Sequence, residues 1–337
     1  MVPMLIWFIL ILILALIALL AIKFLTFRII LAALFFLPII LTLAYYGLDQ
    51  QTVTEYGYSS VTRKISHVSA RGFPYKGHPE NTIKAYDRAY RYTINTFLID
   101  VRMTKDGMLI IHKDSAIVDS YNNTYEIADT HWLQLNKLKL PGNNSILTFD
   151  EAFEWSVNLY QNLILNIESW NSDMFTYIEH KIMQKNLYKS IAVSTTSVRT
   201  ALMCRLKNPR VTVGLSWSSR GNSFENGVSI GSAVTHWMFV TLDSILYWGM
   251  KSMIIPNFVG VDFMIIPIAD ADITMIRDLK DLSIEVIIDD IQTVVQFEYF
   301  FSQLKCPIIA KPTKQMLNLL STFIYPYPGN NTKSPIE

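Results

Sequence analysis

Cysteine is almost missing from this chain: Cys204 and Cys306 are the only two in 337 residues, far apart and outside any Cys-x-x-Cys spacing. That excludes a disulfide framework and a cysteine-held zinc site, leaving two buried thiols as the expected state and a single disulfide as the alternative. Charge is scarce as well. Only 17% of residues are charged, the formal net charge is +1, and no Lys/Arg run occurs, so the sequence offers no phosphate-tracking patch and no nucleic-acid partner is expected. No Gly-x-Gly-x-x-Gly loop follows the first β-rich run, which counts against a doubly wound dinucleotide-binding sheet. Internal repeats are absent too.

What the chain has in excess is apolar residues, 51% of the total, gathered at its start. Residues 5–22 read LIWFILILILALIALLAI without a charge, long enough for a helix to cross a bilayer core. Lys23 and Arg28 follow, then a second apolar run at 29–46 containing Pro38, which a membrane helix tolerates. The apolar run outlasts the core of a cleaved signal peptide, and no early positive charge precedes it. Residues 1–48 are therefore expected to form a transmembrane hairpin anchor, one or two helices in all. The positive turn would face the cytoplasm, and the remaining domain would be lumenal or extracellular. Asn-x-Ser/Thr sequons at Asn122, Asn143 and Asn330 are compatible with that side.

Beyond residue 64, short β-rich runs alternate with longer helical segments. Strands are expected near 65–69, 96–101, 163–167, 191–194, 211–216, either 253–256 or 261–266, 284–288 and 307–310. Eight parallel strands over some 250 residues predict an α/β fold of the TIM (β/α)8 type at 65–320, with its site at the carboxyl ends of the strands. A polar tail occupies 321–337. The stretch 236–266 is unusually apolar and carries Trp237, Tyr247 and Trp248. It reads equally as barrel core and as a bilayer-surface insert.

One series of residues carries chemistry: Arg71-Gly72, Pro79-Glu80-Asn81-Thr82, Asp100, Thr104-Lys105-Asp106-Gly107 and His112. In order and spacing it resembles the opening of the glycerophosphodiester phosphodiesterase family, in the animal membrane-anchored type with an N-terminal hairpin. The likeness is specific over 70–119 and extends weakly to about 312. It implies hydrolysis of glycerophosphodiesters or lysophospholipids with a divalent cation, Mg²⁺ or Ca²⁺. Two histidines would serve as acid and base, carboxylates would hold the metal, and a lysine would sit near the phosphate. The physical need is plain, because a phosphodiester must have its charge neutralised while one group activates the nucleophile and another protonates the leaving oxygen.

This chain departs from that pattern at the positions that matter. Ala70 stands where the resemblance places the first histidine. His67, three residues back along a strand, faces the other way. His78, in the loop before Pro79, is the better stand-in. Leu98 replaces the first carboxylate of a Glu-x-Asp pair and leaves Asp100 alone, while Asn166 and Glu168 replace an acid and the lysine on the third strand. Lys311 replaces an aspartate, which raises the expectation of a Lys311–Glu168 ion pair filling the pocket. The tryptophan of the seventh strand falls on Asp289.

The expected site is thus His112, Arg71 and His78 for catalysis, Arg71, Glu80 and Asn81 for substrate, and Asp100, Glu168 and Asn166 for a metal. Asp106-Gly107 reads as a hairpin turn, and Asn81-Thr82 as a helix cap. The resemblance therefore implies a protein of phospholipid metabolism whose catalytic set is degenerate, non-catalytic or strongly impaired, and which still meets membrane lipids through phosphodiester or lysophospholipid head groups. In that state it needs no metal. The alternative is an active phosphoric diester hydrolase with an altered metal site.

Overall fold

The computed structural model describes residues 67–310, except Thr93, Ser120, Tyr121, Ser169 and the breaks at 220–223, 226–227 and 230–232, together with Ile13, Phe36 and Thr313. The apolar runs at 5–22 and 29–46, Lys311 and the tail at 321–337 lie outside the described residues. Among those described, no helix is long and apolar enough to cross a membrane.

Eight parallel strands close on themselves. They are β1 (His67–Ala70), β2 (Thr96–Met103), β3 (Asn162–Asn166), β4 (Ile191–Thr195), β5 (Thr212–Ser216), β6 (Phe263–Pro267), β7 (Glu285–Asp289) and β8 (Ile308–Ala310). Each pairs with the next in chain order, and β1 completes the circle by pairing with both β8 and β2. All eight expected strands are present. The choice left open for the sixth resolves to β6, because 254–259 is helical.

Side-chain alternation sorts the strands into two cores. Val68, Leu98, Ile164, Ala192, Ile265, Ile287 and Ile309 point inward and fill the barrel together with Phe263. The Phe263 ring occupies the space a side chain at position 214 would need, since a Cβ there would stand 2.2 Å from it. Gly214 is thus the void into which the largest inner side chain fits. The alternate residues, among them Phe97, Ile99, Leu163, Leu165, Val193 and Val213, point outward and pack under the helices.

The helices begin on the carboxyl side of the strands, and most of them start on a side-chain cap. Thr82 accepts from Ala85 N, Asn171 from Asp173 and Met174 N, Ser197 from Thr200 N and Asp272 from Thr274 N. Thr148 and Thr293 each close a reciprocal capping box, with Glu151 and Gln296. Of the pair Asn81-Thr82, Thr82 is therefore the cap. On the opposite side of the barrel Arg205 and Asp262, both essentially without exposure, form an ion pair at 2.6 Å. Arg205 also donates to the carbonyls of Pro209, Val211 and Gly260, and Asp262 accepts from Val213 N. The Arg205 bonds, all from its two Nη atoms, together with the Val213 bond offset much of the penalty that burial places on the two charges.

The segment between β2 and β3 is an addition to the barrel. Asp106-Gly107 makes the turn, with Gly107 at φ 83, and Leu109–Ile111 returns antiparallel to β2. A small core of Ile110, Ile117, Ile127, Leu135 and Ile146 holds the rest. Asn122 and Asn143 are both exposed turn residues with positive φ.

His67 faces outward, as its three-residue spacing from Ala70 requires. Its ring lies 4.6 Å from that of Phe301 and 5.9 Å from that of Phe297, and burial lowers its pKa from 6.5 to about 4. The folded protein therefore keeps His67 neutral where the unfolded chain would protonate it. Stability is whole above pH 6.5 and falls as the pH drops toward 4, by up to about 3 kcal/mol from this group. Denaturant midpoints measured between pH 7.5 and 4.5 should fall less steeply in His67→Leu than in the wild type.

Candidate functional site

At the end of β1 the chain turns sharply. Arg71 takes φ 61 and Gly72 φ 79, and a Cβ on Gly72 would stand 2.7 Å from the backbone of Ala85, so the turn packs tightly on the first helix, Ile83–Arg91. Two backbone bonds hold the strained Arg71 in place: its N–H donates to Leu98 O and its carbonyl accepts from Asn81 N–H, each at 2.8 Å. The result aims the guanidinium at the carboxyl mouth of the barrel.

There Arg71 Nε donates to Asp100 Oδ2 at 2.6 Å, and Nη1 stands 3.7 Å from Glu80 Oε2. Asn166, which faces Asp100 across the β2–β3 pairing, donates from Nδ2 to the other oxygen, Oδ1, at 2.7 Å. Both oxygens of the buried Asp100 carboxylate are thus in use. Burial opposes the charge on Arg71, yet Asp100, Glu80 and Asp289 together hold its pKa above the usual guanidinium range. Asn81, at φ 59 and almost fully buried, accepts from the Tyr86 hydroxyl at 3.1 Å. Burial first, then the charges of Asp100 and Glu80, push the Tyr86 phenol well above its normal pKa, so it remains a donor.

Glu168 goes elsewhere. Arg102 grips it with a two-pronged fork, Nη1 to Oε2 at 2.5 Å and Nη2 to Oε1 at 2.6 Å, and Nη2 also reaches Lys113 O. The fork joins the end of β2, the segment after β3 and the loop beyond Ile111. His112 sits in that loop, half-buried. Its backbone N–H donates to Asp100 O at 3.0 Å, and its Nδ1 lies 3.1 Å from Asp114 O. A carbonyl only accepts, so Nδ1 carries a proton, and in the neutral ring the lone pair is then on Nε2. His78 is held in a different contact, its Nδ1 3.2 Å from Asn144 Oδ1 and its ring 4.7 Å from that of Tyr75. Asn144 in turn donates to Gly77 O at 2.8 Å, and the two loops press so close that a Cβ on Gly142 would meet Gly77 O at 1.8 Å.

The sequence-expected residues therefore divide. Arg71, Asp100, Asn166, Glu80 and Asn81 form one connected group at the mouth. His112 is tied to it through the backbone of Asp100, Glu168 belongs to the Arg102 fork, and His78 to the contact with the 141–144 loop. Ala70 lies at the mouth end of β1, opposite Leu98, which belongs to the inner apolar core.

Three participants escaped the sequence reading. Arg102 shares a strand face with Asp100 by the period of two, a signal that was available. Asn144 lies far away in sequence and carried none. Ser194, paired with Asn166 in the sheet, is fully buried, and its Oγ has no hydrogen-bond partner among the described residues.

A hard divalent cation needs several anionic oxygens arranged around it. Here Asp100 is committed to Arg71 and Asn166, Leu98 contributes none, and Glu168 is forked by Arg102. Among the described residues, no group of three or more His, Cys, Asp or Glu is placed to hold a metal ion. This donor set does not fit such a cation.

Comparison with known proteins gives this geometry its context. The family model described as Glycerophosphoryl diester phosphodiesterase family matches residues 71–245. Among solved structures, a glycerophosphodiester phosphodiesterase from Agrobacterium tumefaciens is similar at 12% identity and TM-score 0.57, over 76% of this chain and 99% of that one. One from Parabacteroides distasonis is similar at 13% and 0.57, over 77% and 98%. An Oleispira antarctica phosphodiesterase in complex with the product sn-glycerol-3-phosphate is similar at 16% and 0.54, over 76% and 96%.

Asp100→Asn should cost about 2 kcal/mol of stability, because a partly buried guanidinium loses its charged acceptor. Arg102→Ala should cost under about 1 kcal/mol, because Glu168 is half-exposed and falls back on water. Urea unfolding of the two variants checks the contrast.

Proposed function

This chain belongs to the glycerophosphoryl diester phosphodiesterase family, and on that footing we propose that it is a membrane-anchored member which binds phosphodiester head groups at the barrel mouth without efficient hydrolysis. One observation carries the reading. The carboxylate best placed to serve a metal, Asp100, spends both oxygens on Arg71 and Asn166. Ala70 in place of the first histidine and Leu98 in place of a carboxylate support it. Losing a general acid or base alone typically costs a factor of roughly 10² to 10⁴ in rate. The anchor is supported by the two apolar runs at 5–22 and 29–46, and the lumenal or extracellular side by Lys23 and Arg28 between them.

The local charge narrows the ligand. Arg71 faces three carboxylates, Asp100, Glu80 and Asp289, so a bare phosphate meets more repulsion than attraction there. A head group carrying a cation beside its phosphodiester, such as choline or ethanolamine, meets both signs: the remaining N–H groups of Arg71 for the phosphate oxygens, and the carboxylates for the ammonium.

A second reading, slow hydrolysis by an altered route, is favoured by one feature. His112 holds its Nδ1 proton against Asp114 O, so in the neutral ring the lone pair of Nε2 is the one turned away from that contact.

Titration calorimetry of the full chain in detergent should show glycerophosphocholine binding more tightly than glycerol phosphate. The reverse order, or no binding of either, would overturn the head-group reading. Assays on glycerophosphodiester and lysophospholipid substrates with Mg²⁺ or Ca²⁺ should give turnover indistinguishable from that of His112→Ala. Turnover that is present in the wild type and lost in His112→Ala would establish the second reading.

A further inference from the structure

The longest described helix, Ala233–Lys251, is placed differently from the rest of the barrel. Trp217 directly follows the end of β5, and its ring stands 5.9 Å from that of Tyr247. Lys251 Nζ bonds Asp272 at 2.8 Å, and Asp272 caps the helix that starts just after β6. Both contacts sit at the level of the mouth. The descent along the barrel flank is made afterwards, by the short helix Ile254–Val259, which ends near Gly260, whose carbonyl accepts from Arg205 on the opposite side. These contacts seat the last turns of the long helix at the mouth, and the fourteen residues before Tyr247 add roughly 20 Å of helix at 1.5 Å per residue.

Its outward face is apolar. Trp237, Ile245 and Trp248 are 68%, 61% and 64% exposed, and Val240, Leu242 and Tyr247 are exposed beside them. Thr241 and Ser244 lie on the same stripe, and their hydroxyls turn back to the carbonyls of Trp237 and Val240 at 2.9 and 2.8 Å, so they need no water. The helix has one acid, Asp243, and it is buried; its one lysine, Lys251, is at the far end and paired. A stripe of this kind with no charge on it is unusual on a water-facing surface. Tryptophan and tyrosine at its edges are what a bilayer interface selects.

We propose that the helix Ala233–Lys251 lies in the surface of a phospholipid bilayer, with Trp237, Ile245 and Trp248 among the upper acyl chains, and so sets the barrel mouth against the membrane. The inference rests on the anchored reading above, which supplies the bilayer. The uncharged runs end at residue 46, and only residues 47–66 separate them from β1, a tether of at most roughly 70 Å.

The test uses the full chain in vesicles of phosphatidylcholine and phosphatidylserine. The native thiols Cys204 and Cys306 have no exposure and take no label, so single cysteines can carry a nitroxide. Trp237→Cys, Ile245→Cys and Trp248→Cys are the probes. Tyr160→Cys, 94% exposed just past the end of the helix Phe149–Asn158, is the water control, and Ile13→Cys reports the anchor.

At 237, 245 and 248 the labels should collide severalfold more with oxygen, and severalfold less with a water-soluble nickel chelate, than the label at 160. Nickel contact equal to that at 160 overturns the proposal. So does protection from both quenchers, which would mean the chain's own apolar segments cover the face. Spin–spin broadening that disappears on dilution together with the protection would mean a second copy covers it, and overturns the proposal as well. Nickel contact at 13 alone removes the anchor and leaves the helix assignment standing.

Discussion

Across the seam where the first strand of the barrel meets the second, the guanidinium of Arg71 and the carboxylate of Asp100 meet at 2.6 Å. Much of the mouth is arranged around that contact. It needs a residue with a side chain in the left-handed conformation at 71, a glycine at 72 so that the turn can lie against the first helix, and a backbone bond from Asn81 to close the loop. Asn166 then completes the carboxylate from the third strand, and His112 hangs from the carbonyl of the same Asp100. Because Asp100 is almost without exposure, water competes poorly for its charge, and for the same reason the pair resists giving the carboxylate up to a cation.

The barrel was readable from the sequence because its signals are local. Short β-rich runs at regular intervals specify strands, and period-two alternation separates Leu98 and Asp100 from Phe97 and Ile99 without any knowledge of the fold. The turn at Asp106-Gly107 was legible for the same reason. The sixth strand was ambiguous because 253–256 and 261–266 are both short and mostly apolar. What decides between them is that Met253 and Gly260, both left-handed, bound a short helix, a matter of packing rather than pattern.

The site was legible only in part. The group around Arg71 could be assembled from motif residues, but the partners that settle which carboxylate is engaged lie across the barrel or in another loop. Glu168 and Asn166 share a strand direction, which suggested a common metal. The side chain of Arg102, nearer and doubly hydrogen-bonded, takes Glu168 away. His78 is likewise held by Asn144, a residue 66 positions later. Sequence periodicity reports which way a side chain leaves the backbone; it does not report which of several neighbours its far end will reach.

Deeper in the barrel, the ring of Phe263 fills the space left by Gly214. A barrel stoppered in this way has one door. Whatever ligand reaches the mouth group must come in and go out by the same opening, tip first, and can travel no further than the layer of Arg71 and Asp100. For a molecule longer than the mouth is deep, only the end that enters meets the Arg71–Asp100 layer, and the rest stays outside whatever its length. Selectivity at such an opening turns on the leading end and is blind to what trails behind it.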